Sequence, residues 1–334
     1  MTASSGAAVF GAQGWLLAYP VAEGVRLWDA RDGREIGFLA AVDIFLVGFD
    51  AAEENLLLCG PEGLLRCSIK AKPAHGVIDL GAPRLVLAQR QPGGVMSANG
   101  KFCAMNGESR WRILRTDTFT EVARTGTQPG TVFAAFSPDG KLLATSAVHN
   151  RGVKVWNVQN GELLKELPAD DDSYDPSATV AFSPDGRHLV AATVDEYCFW
   201  EVVSWSRARH IPQQPGNDFP AKMAFSRDGK IFAGTHSRNV VRLHDAATGQ
   251  VLADLEAPNS KFVSSLAFNA DGTQLAACES RDALRIWDLR QIREQLADMG
   301  LDWDLPPYPP NAVASPVSLV VPAKTNAPAE VLTR

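Results

Sequence analysis

A short motif that recurs at a nearly constant spacing constrains the fold of this chain more than any other feature. It reads Phe-Ser-Pro-Asp-Gly at residues 136–140 and again at residues 182–186. Looser copies begin at Phe225 and Phe268, so the four aromatic residues are 46, 43 and 43 positions apart. Because self-similarity at a period of this size is the signature of a repeat architecture, each copy predicts one structural unit of the same kind.

Three degenerate copies upstream extend the series. Phe10, Phe49 and Met96 each precede a short polar or Gly-containing segment, at spacings of 39, 47 and 40 up to Phe136. The seven markers span 258 positions, which is an average of 43 for each of six intervals. The chain therefore predicts seven units, and we place their end at residue 290.

Each marker is followed by the same order of apolar runs and turns. Runs of four to six residues rich in Val, Leu, Phe and Trp lie between Gly, Asn and Asp clusters, which is typical of strands and not of helices. The Ser-Pro-Asp-Gly segment suits a type I turn between the first two strands. Four antiparallel strands per unit of this length is the pattern of a propeller blade. The residues we take as structural repeat positions are Trp28, Phe136, Trp156, Phe182, Trp200, Phe225, Phe268 and Trp287.

With these turns and with Trp-Asp, Trp-Asn and His-Asp pairs at strand ends, the chain resembles the WD40-repeat β-propellers. The resemblance implies an all-β fold, a seven-bladed WD40-type propeller over residues 1–290. One departure is that the Gly-His dipeptide of the family is absent. In the family this His joins a hydrogen-bond network with a turn Asp, a strand Ser or Thr, and the Trp. Asp195 and Asp282 are candidates for the turn position and Ser146 for the strand position, but without the His we expect packing to hold the blades.

The C-terminal tail, residues 291–334, has a different pattern. Leu289, Ile292, Leu296 and Met299 follow helical spacing, Asp288 suits an N-cap, and Gly300 suits the position after the helix. A proline-rich linker follows at 306–310, and residues 317–321 predict one more strand. That strand either closes the seventh blade or begins another domain.

Residues 292–304 are similar to the segment that closes WD40 domains in large bacterial proteins, many of which carry a Ser/Thr protein kinase domain upstream. This chain has no glycine-rich phosphate loop and no His-Arg-Asp motif. The resemblance therefore implies, as an alternative function, a regulatory or accessory propeller of a bacterial Ser/Thr kinase system.

Charge and cysteine usage limit the classes of partner. The net charge is −6, and the 32 Lys and Arg residues form no basic block, which argues against nucleic acid and anionic membranes as partners. No apolar run reaches the length of a membrane span. Five cysteines without a CxxC pair indicate buried thiols in a reducing compartment. We expect a cytoplasmic monomer.

Catalytic and metal-binding motifs are missing from the sequence. The six histidines have no metal-type spacing, and there is no G-x-S-x-G motif. The acidic run at 170–172 does not match an EF-hand and is better explained as a solvated loop. We predict no catalytic residue, no metal and no cofactor. A propeller hydrolase with a metal site in the channel stays open as another alternative, since a propeller can bring distant residues together there.

The leading hypothesis is a non-catalytic scaffold that binds other proteins or peptides on one rim of the propeller. In this fold the turns between second and third strands and the connections between blades gather on one face, and binding residues concentrate on such loops. Asn106 and Glu196 also fall on these predicted turns. The candidate binding residues are Arg110, His149, Arg151, Tyr174, Asp195, Phe219, His236, Arg238, Arg281 and Asp282.

Overall fold

The computed structural model shows a ring of seven β-sheets with one helix. It describes residues 7–11, 13–41, 43–44, 46–72, 77–88, 93–107, 109–147, 150–168, 179–214, 221–256, 262–279, 283–308 and 320–321. The sheets follow one another along the chain, and the strands within each are antiparallel. The first strands of successive sheets mostly lie side by side. The first strand of the last sheet contacts the first strand of the first sheet, and this contact closes the ring. The predicted all-β fold with seven blades is confirmed.

The blades have the following strands. Blade 1 has β1 (Val9–Phe10), β2 (Leu16–Val21), β3 (Gly24–Asp29) and β4 (Arg34–Ala40); blade 2 has β5 (Leu46–Phe49), β6 (Asn55–Gly60), β7 (Gly63–Lys72), β8 (Val77–Leu80) and β9 (Arg84–Ala88); blade 3 has β10 (Gly93–Met96), β11 (Phe102–Asn106), β12 (Trp111–Arg115) and β13 (Glu121–Arg124). Blade 4 has β14 (Thr131–Phe136), β15 (Leu142–Ala147), β16 (Asn150–Asn157) and β17 (Leu163–Leu167); blade 5 has β18 (Thr179–Phe182), β19 (His188–Ala192), β20 (Glu196–Glu201) and β21 (Arg207–Pro212). Blade 6 has β22 (Met223–Phe225), β23 (Ile231–Thr235), β24 (Val240–Asp245) and β25 (Val251–Glu256); blade 7 has β26 (Val263–Phe268), β27 (Gln274–Glu279), β28 (Ala283–Asp288) and β29 (Val320–Val321), with helix α1 (Leu289–Asp298) after β28.

All seven markers of the sequence repeat occupy the same structural position. Phe10, Phe49, Met96, Phe136, Phe182, Phe225 and Phe268 are each the last residue of the first strand of a blade. The turn that follows is built identically in several blades. In blade 4 the Ser137 hydroxyl donates to the Asp139 carboxylate over 2.6 Å, and the backbone N–H of Gly140 donates to the Ser137 carbonyl over 2.9 Å. Gly140 has φ +73°, which glycine adopts without strain. The repeated motif is therefore local turn chemistry.

The hydrophobic core lies between neighbouring blades. Blade 4 contributes Val153, Val155 and Leu167 to a cluster that blade 5 completes with Phe182 and Leu189. The repeat tryptophans Trp28, Trp156 and Trp287 are buried, and Trp200 is half-buried. His244, at the Trp position of blade 6, is buried with its ring against Phe232. Since each core needs side chains from two blades, one blade alone buries little apolar surface.

In blade 4 a hydrogen-bond network forms without the family's histidine. The indole N–H of Trp156 donates to the Thr145 hydroxyl over 2.8 Å, and this hydroxyl donates to Oε1 of Gln128 over 2.5 Å. All three side chains are buried. Gln128, in the connection before β14, supplies the acceptor. The strand member is Thr145 and not Ser146, whose carbonyl instead accepts a hydrogen bond from the Thr131 hydroxyl.

Removing the amide of Gln128 is expected to leave the Thr145 hydroxyl buried without an acceptor. We predict that Gln128→Ala lowers the free energy of unfolding by about 1–3 kcal/mol, the cost of an unsatisfied buried polar group. Gln128→His restores an acceptor and is expected to retain more of the stability than the alanine variant. Urea denaturation of the three proteins measures the difference. Equal stability of the alanine variant and the wild type would contradict the role of this network.

The strand arrangement of blade 2 explains why the repeat pattern is weak in this part of the sequence. Its third strand, β7, is long, and two short strands share the outer position beside it. β9 pairs with the first half of β7 at Gly63–Arg66, and β8 pairs with the second half at Ile69–Lys72. β7 therefore continues through Cys67 and Ser68 to Lys72.

The helix begins and ends as its caps indicate. The Asp288 carboxylate accepts hydrogen bonds from the backbone N–H groups of Arg290 and Gln291, and Gly300 follows the helix at φ +69°. Leu289 is buried, whereas Met299, the C-cap residue, is exposed. The segment 320–321 pairs with β28, Leu284 opposite Val321, and takes the fourth position of blade 7.

The residues after α1 fold back onto the helix around Arg293. Its guanidinium donates to both carboxylate oxygens of Asp302, each over 2.9 Å, and to the carbonyls of Leu305 and Pro306. Trp303 is buried in the cluster that joins blades 6 and 7. This part of the tail is consequently an integral part of the propeller core.

Candidate functional site

Because the strands of a blade alternate in direction, each propeller face collects the same two kinds of connection from every blade. We call the face with the Ser-x-Asp turns and α1 the turn face. We call the opposite face, with the turns between second and third strands and the connections from one blade to the next, the rim face. All candidate binding residues belong to rim-face segments by sequence.

The described part of the chain places only some of these candidates. Arg110, Asp195 and Arg238 are exposed, and His236 is half-buried. Arg151 lies in strand β16, and only the backbone of Arg151 is described. His149, Tyr174, Phe219, Arg281 and Asp282 lie outside the described residues, as do the acidic residues 170–172.

Asp195 and His236 are held at neighbouring points of the rim by the connection after β21. The backbone N–H of Gln213 donates to the Asp195 carbonyl over 2.8 Å, and that of Gln214 donates to the His236 carbonyl over 3.2 Å. The side-chain amide of Gln213 donates to the Thr193 carbonyl over 2.9 Å. These bonds tie the turns of blades 5 and 6 into one surface, with Asp195 on one side and His236 on the other.

The rim of blade 3 is less accessible than the sequence suggested. Arg110 is exposed, and its Nε donates to the Thr127 hydroxyl over 3.2 Å. Asn106, however, is buried at the end of β11, and its side-chain amide donates to the Thr131 carbonyl. The prediction of a surface role for Asn106 is therefore wrong, because the strand extends further than its apolar run.

The surroundings of His236 favour the neutral form of its imidazole. Partial burial lowers the pKa of the imidazole first, and the nearby Arg242 guanidinium lowers it further. Arg242 itself pairs with Asp254, with 2.6 Å between Nε and a carboxylate oxygen. At neutral pH this part of the rim consequently offers a neutral imidazole beside the exposed Arg238, which suits hydrogen bonding to a polar partner.

The channel wall is free of charge in its described part. None of the seven first strands, as bounded above, contains Asp, Glu, His, Lys or Arg. Lys222 comes directly before β22, at the rim-face end of the channel, and its Nζ lies 5.3 Å from the ring centroid of Phe133. Burial lowers the pKa of this ammonium to about 8. Lys222 was not among the residues that sequence reasoning selected, although a charge next to an uncharged strand was a visible signal.

The described residues also bear on metal binding and on thiol chemistry. They include no group of three or more His, Cys, Asp or Glu side chains with the geometry of a metal site. All five cysteines are buried and none forms a disulfide. Burial raises the pKa of Cys59 and Cys103 to about 12, so these two thiols are poor nucleophiles. Within the same residues, no helix is both long and apolar enough to span a bilayer.

Comparison with known proteins finds repeats of one family and three partial relatives. Residues 123–157 and 249–288 match WD40, described as WD domain, G-beta repeat. An uncharacterized WD repeat-containing protein of Synechocystis is 25% identical over 146 residues, 41% of this chain and 40% of that protein. Eukaryotic translation initiation factor 3 subunit I of Aspergillus terreus is 31% identical over 152 residues, 40% of this chain and 43% of that protein. Transcription initiation factor TFIID subunit 5 of Caenorhabditis elegans is 31% identical over 109 residues, 31% of this chain and 16% of that protein. The matched segments span less than half of each relative.

The two matched repeats are offset by one strand from the blades. Residues 123–157 begin in β13 of blade 3 and end with β16 of blade 4, and residues 249–288 run in the same way from β25 of blade 6 to β28 of blade 7. Each sequence repeat thus contributes the outer strand of one blade and the three inner strands of the next blade. One repeat therefore spans two neighbouring blades. With this phase of the repeat and seven sheets in a ring, the chain carries WD40 repeats and has the fold of a seven-bladed β-propeller.

Proposed function

We propose that this protein is a non-catalytic scaffold that binds other proteins or peptides on its rim face. The observation that supports the proposal is a difference between the two faces. On the turn face the same Ser-x-Asp turn recurs, with Ser137, Ser183 and Ser226 each donating to the Asp two positions later. On the rim face the equivalent turns differ from blade to blade, with Arg110, Asp195 and Arg238 exposed.

This difference separates structural from functional constraints. A turn that must only reverse the chain can be the same in every blade, whereas a surface that recognises one partner needs a particular residue at each position. Arg is among the residue types enriched in binding hot spots. The uncharged first strands support binding over catalysis, because they supply no carboxylate or imidazole to the channel.

Charge reversal on the rim tests the proposal. We expect the double variant Arg110→Glu with Arg238→Glu to lose captured partners, with affinity reduced about tenfold or more if either residue is a hot spot. The measurement is affinity capture from native lysate with quantitative mass spectrometry. The matched control reverses two exposed turn-face charges, Lys101→Glu with Arg187→Glu, and should keep the partners. Capture of the same partners by both double variants and the wild type would contradict the rim assignment.

A further inference from the structure

Lys222 is a charged residue at the rim-face entrance of a channel whose first strands carry no charge in the described part of the chain. The residues directly before the first strands, where described, are Ala8, Gly130, Lys222 and Phe262. Only Lys222 among them carries a charge. The described first strands add none, so this ammonium is the main electrostatic feature of that part of the entrance.

Three buried or half-buried groups fix the backbone of Lys222. Its N–H donates to the Thr235 hydroxyl over 3.0 Å, and its carbonyl accepts from the Thr235 N–H over 3.0 Å. The Tyr197 hydroxyl donates to the Thr235 carbonyl over 2.8 Å and lies 3.2 Å from the Lys222 carbonyl. A Cβ on Gly234 would lie 2.5 Å from the Tyr197 hydroxyl oxygen, so glycine is needed there. The backbone is thus held rigidly at the channel entrance.

From this fixed point the side chain extends from blade 6 past blade 5 to blade 4, where Nζ lies 5.3 Å from the Phe133 ring centroid. In the described part of the chain Nζ forms a cation–π contact but no ion pair with a carboxylate. Burying an unpaired charge is costly, and the lowered pKa of about 8, caused by desolvation, reflects that cost. An uncharged Met of similar length would avoid it. A partly desolvated cation with no carboxylate partner among the described residues is therefore placed to bind an anion from outside.

We propose that the channel entrance beside Lys222 binds one carboxylate of a protein or peptide partner, carried on an apolar arm as in a glutamate side chain. The proposal rests on the scaffold function and names the chemistry of the group recognised. The ammonium pairs with the carboxylate, and the half-buried side chains of Phe133 and Met223 contact the methylene groups.

The number of charges favours a carboxylate over a phosphate. A phosphate dianion is typically bound by several Arg or Lys donors, whereas the described channel entrance has the one ammonium. The chain as a whole also carries a net charge of −6, which disfavours a doubly charged ligand. A single carboxylate matches a single ammonium.

The test measures the pKa of the Lys222 ammonium with and without a peptide ligand. The full chain is labelled with ¹³C at lysine Cε, the Lys222 signal is assigned by its loss in Lys222→Met, and its pKa is measured by NMR titration. The probe is acetyl-Leu-Glu-Leu-amide, with acetyl-Leu-Gln-Leu-amide as the neutral control and inorganic phosphate as the competing anion. We expect the Glu peptide to raise the pKa of Lys222 by about one unit or more, because a bound carboxylate favours the charged form. The Gln peptide should leave it unchanged.

Variants separate this site from the rest of the rim. Lys222→Met should weaken binding of the Glu peptide about tenfold, and Lys222→Arg should retain it. Lys230→Met, at an exposed turn-face lysine, should bind like the wild type. An unchanged pKa with the Glu peptide, or equal binding by Lys222→Met, overturns the proposal, and an equal shift with phosphate overturns the carboxylate assignment. The peptide titration needs no native partner, so its failure is distinguishable from a failure of the capture experiment with Arg110 and Arg238.

Discussion

Replacing Arg293 by Ala is expected to release residues 299–308 from the turn face and to lower the free energy of unfolding by about 2–4 kcal/mol, because several hydrogen bonds to a charged group are lost together. The Arg293 side chain is only 7% exposed and forms two parallel hydrogen bonds with the Asp302 carboxylate. Its removal leaves this partner without its cation, and the Asp302 pKa, which Arg293 lowers, would return toward its usual value. Asp302 is itself exposed, so the main cost is the loss of the buried Arg293 guanidinium and of its hydrogen bonds.

The loss should extend beyond one ion pair because Arg293 also organises the chain around it. Its guanidinium lies 5.2 Å from the Trp303 ring centroid and 5.5 Å from the Tyr308 ring centroid. It also donates to the Leu305 and Pro306 carbonyls over 2.6 and 2.7 Å. Without these contacts, we expect Trp303 to leave its buried position between blades 6 and 7.

Urea denaturation and tryptophan fluorescence measure the effect of Arg293→Ala. Arg293→Lys keeps the charge but not the planar fork, so we expect it to recover little of the loss. The control is Glu294→Ala, an exposed change on the same helix, with an expected effect within about 0.5 kcal/mol. Wild-type stability of Arg293→Ala, with Trp303 still shielded from quencher, would contradict the role given to Arg293.

The features that sequence reasoning predicted are those produced by local chemistry. The turn after Phe136 needs only Ser137, Asp139 and Gly140, all close in sequence, and their bonds recur wherever the residues recur. Counting such turns was therefore enough to predict seven blades. Blade 2 gave a weak signal because its outer position is shared by β8 and β9, an arrangement without a repeat period.

The features that were missed depend on contacts between distant residues. Gln128 is 17 positions from Thr145, and nothing in its own neighbourhood shows that it takes the place of a histidine. Arg293 interrupts the apolar pattern of α1, so helical periodicity assigns it to the solvent side, whereas the chain up to Leu305 and Pro306 folds over it. Lys222 contacts a ring two blades away. Side-chain partners of this kind are brought together by the closed ring of blades, and the residues next to them in sequence give no indication of them.

The tail segment that prompted the kinase hypothesis now has a structural explanation. Residues 292–304 contain Arg293, Asp302 and Trp303, which attach the chain after α1 to blades 6 and 7. A segment needed to complete a propeller would resemble its counterparts in other propellers whatever they are fused to. The link to a Ser/Thr kinase system therefore stays a hypothesis that rests on resemblance, and the genomic neighbourhood of this chain tests it.

The aromatic residue at the end of each first strand is expected to contribute to stability through packing between blades. Phe182 is 8% exposed and lies in the cluster shared by blades 4 and 5, so Phe182→Ala should lower the free energy of unfolding by about 3–5 kcal/mol. The lost stability has two parts. The Phe182 side chain no longer buries its apolar surface, and a cavity remains between two blades whose positions in the propeller are fixed. Phe182→Leu keeps much of the volume and should cost about 1.5 kcal/mol or less.

The repeat provides a matched comparison for Phe182. Phe225 occupies the same position in blade 6 but is only half-buried, with its ring 5.1 Å from that of Phe232. Since the cost of truncation depends on the surface removed from water and not on the motif, Phe225→Ala should be the milder change in urea denaturation. A loss below about 1 kcal/mol for Phe182→Ala would contradict the strand assignment. Equal losses at both positions would mean that the motif contributes through its turn and not through packing between blades.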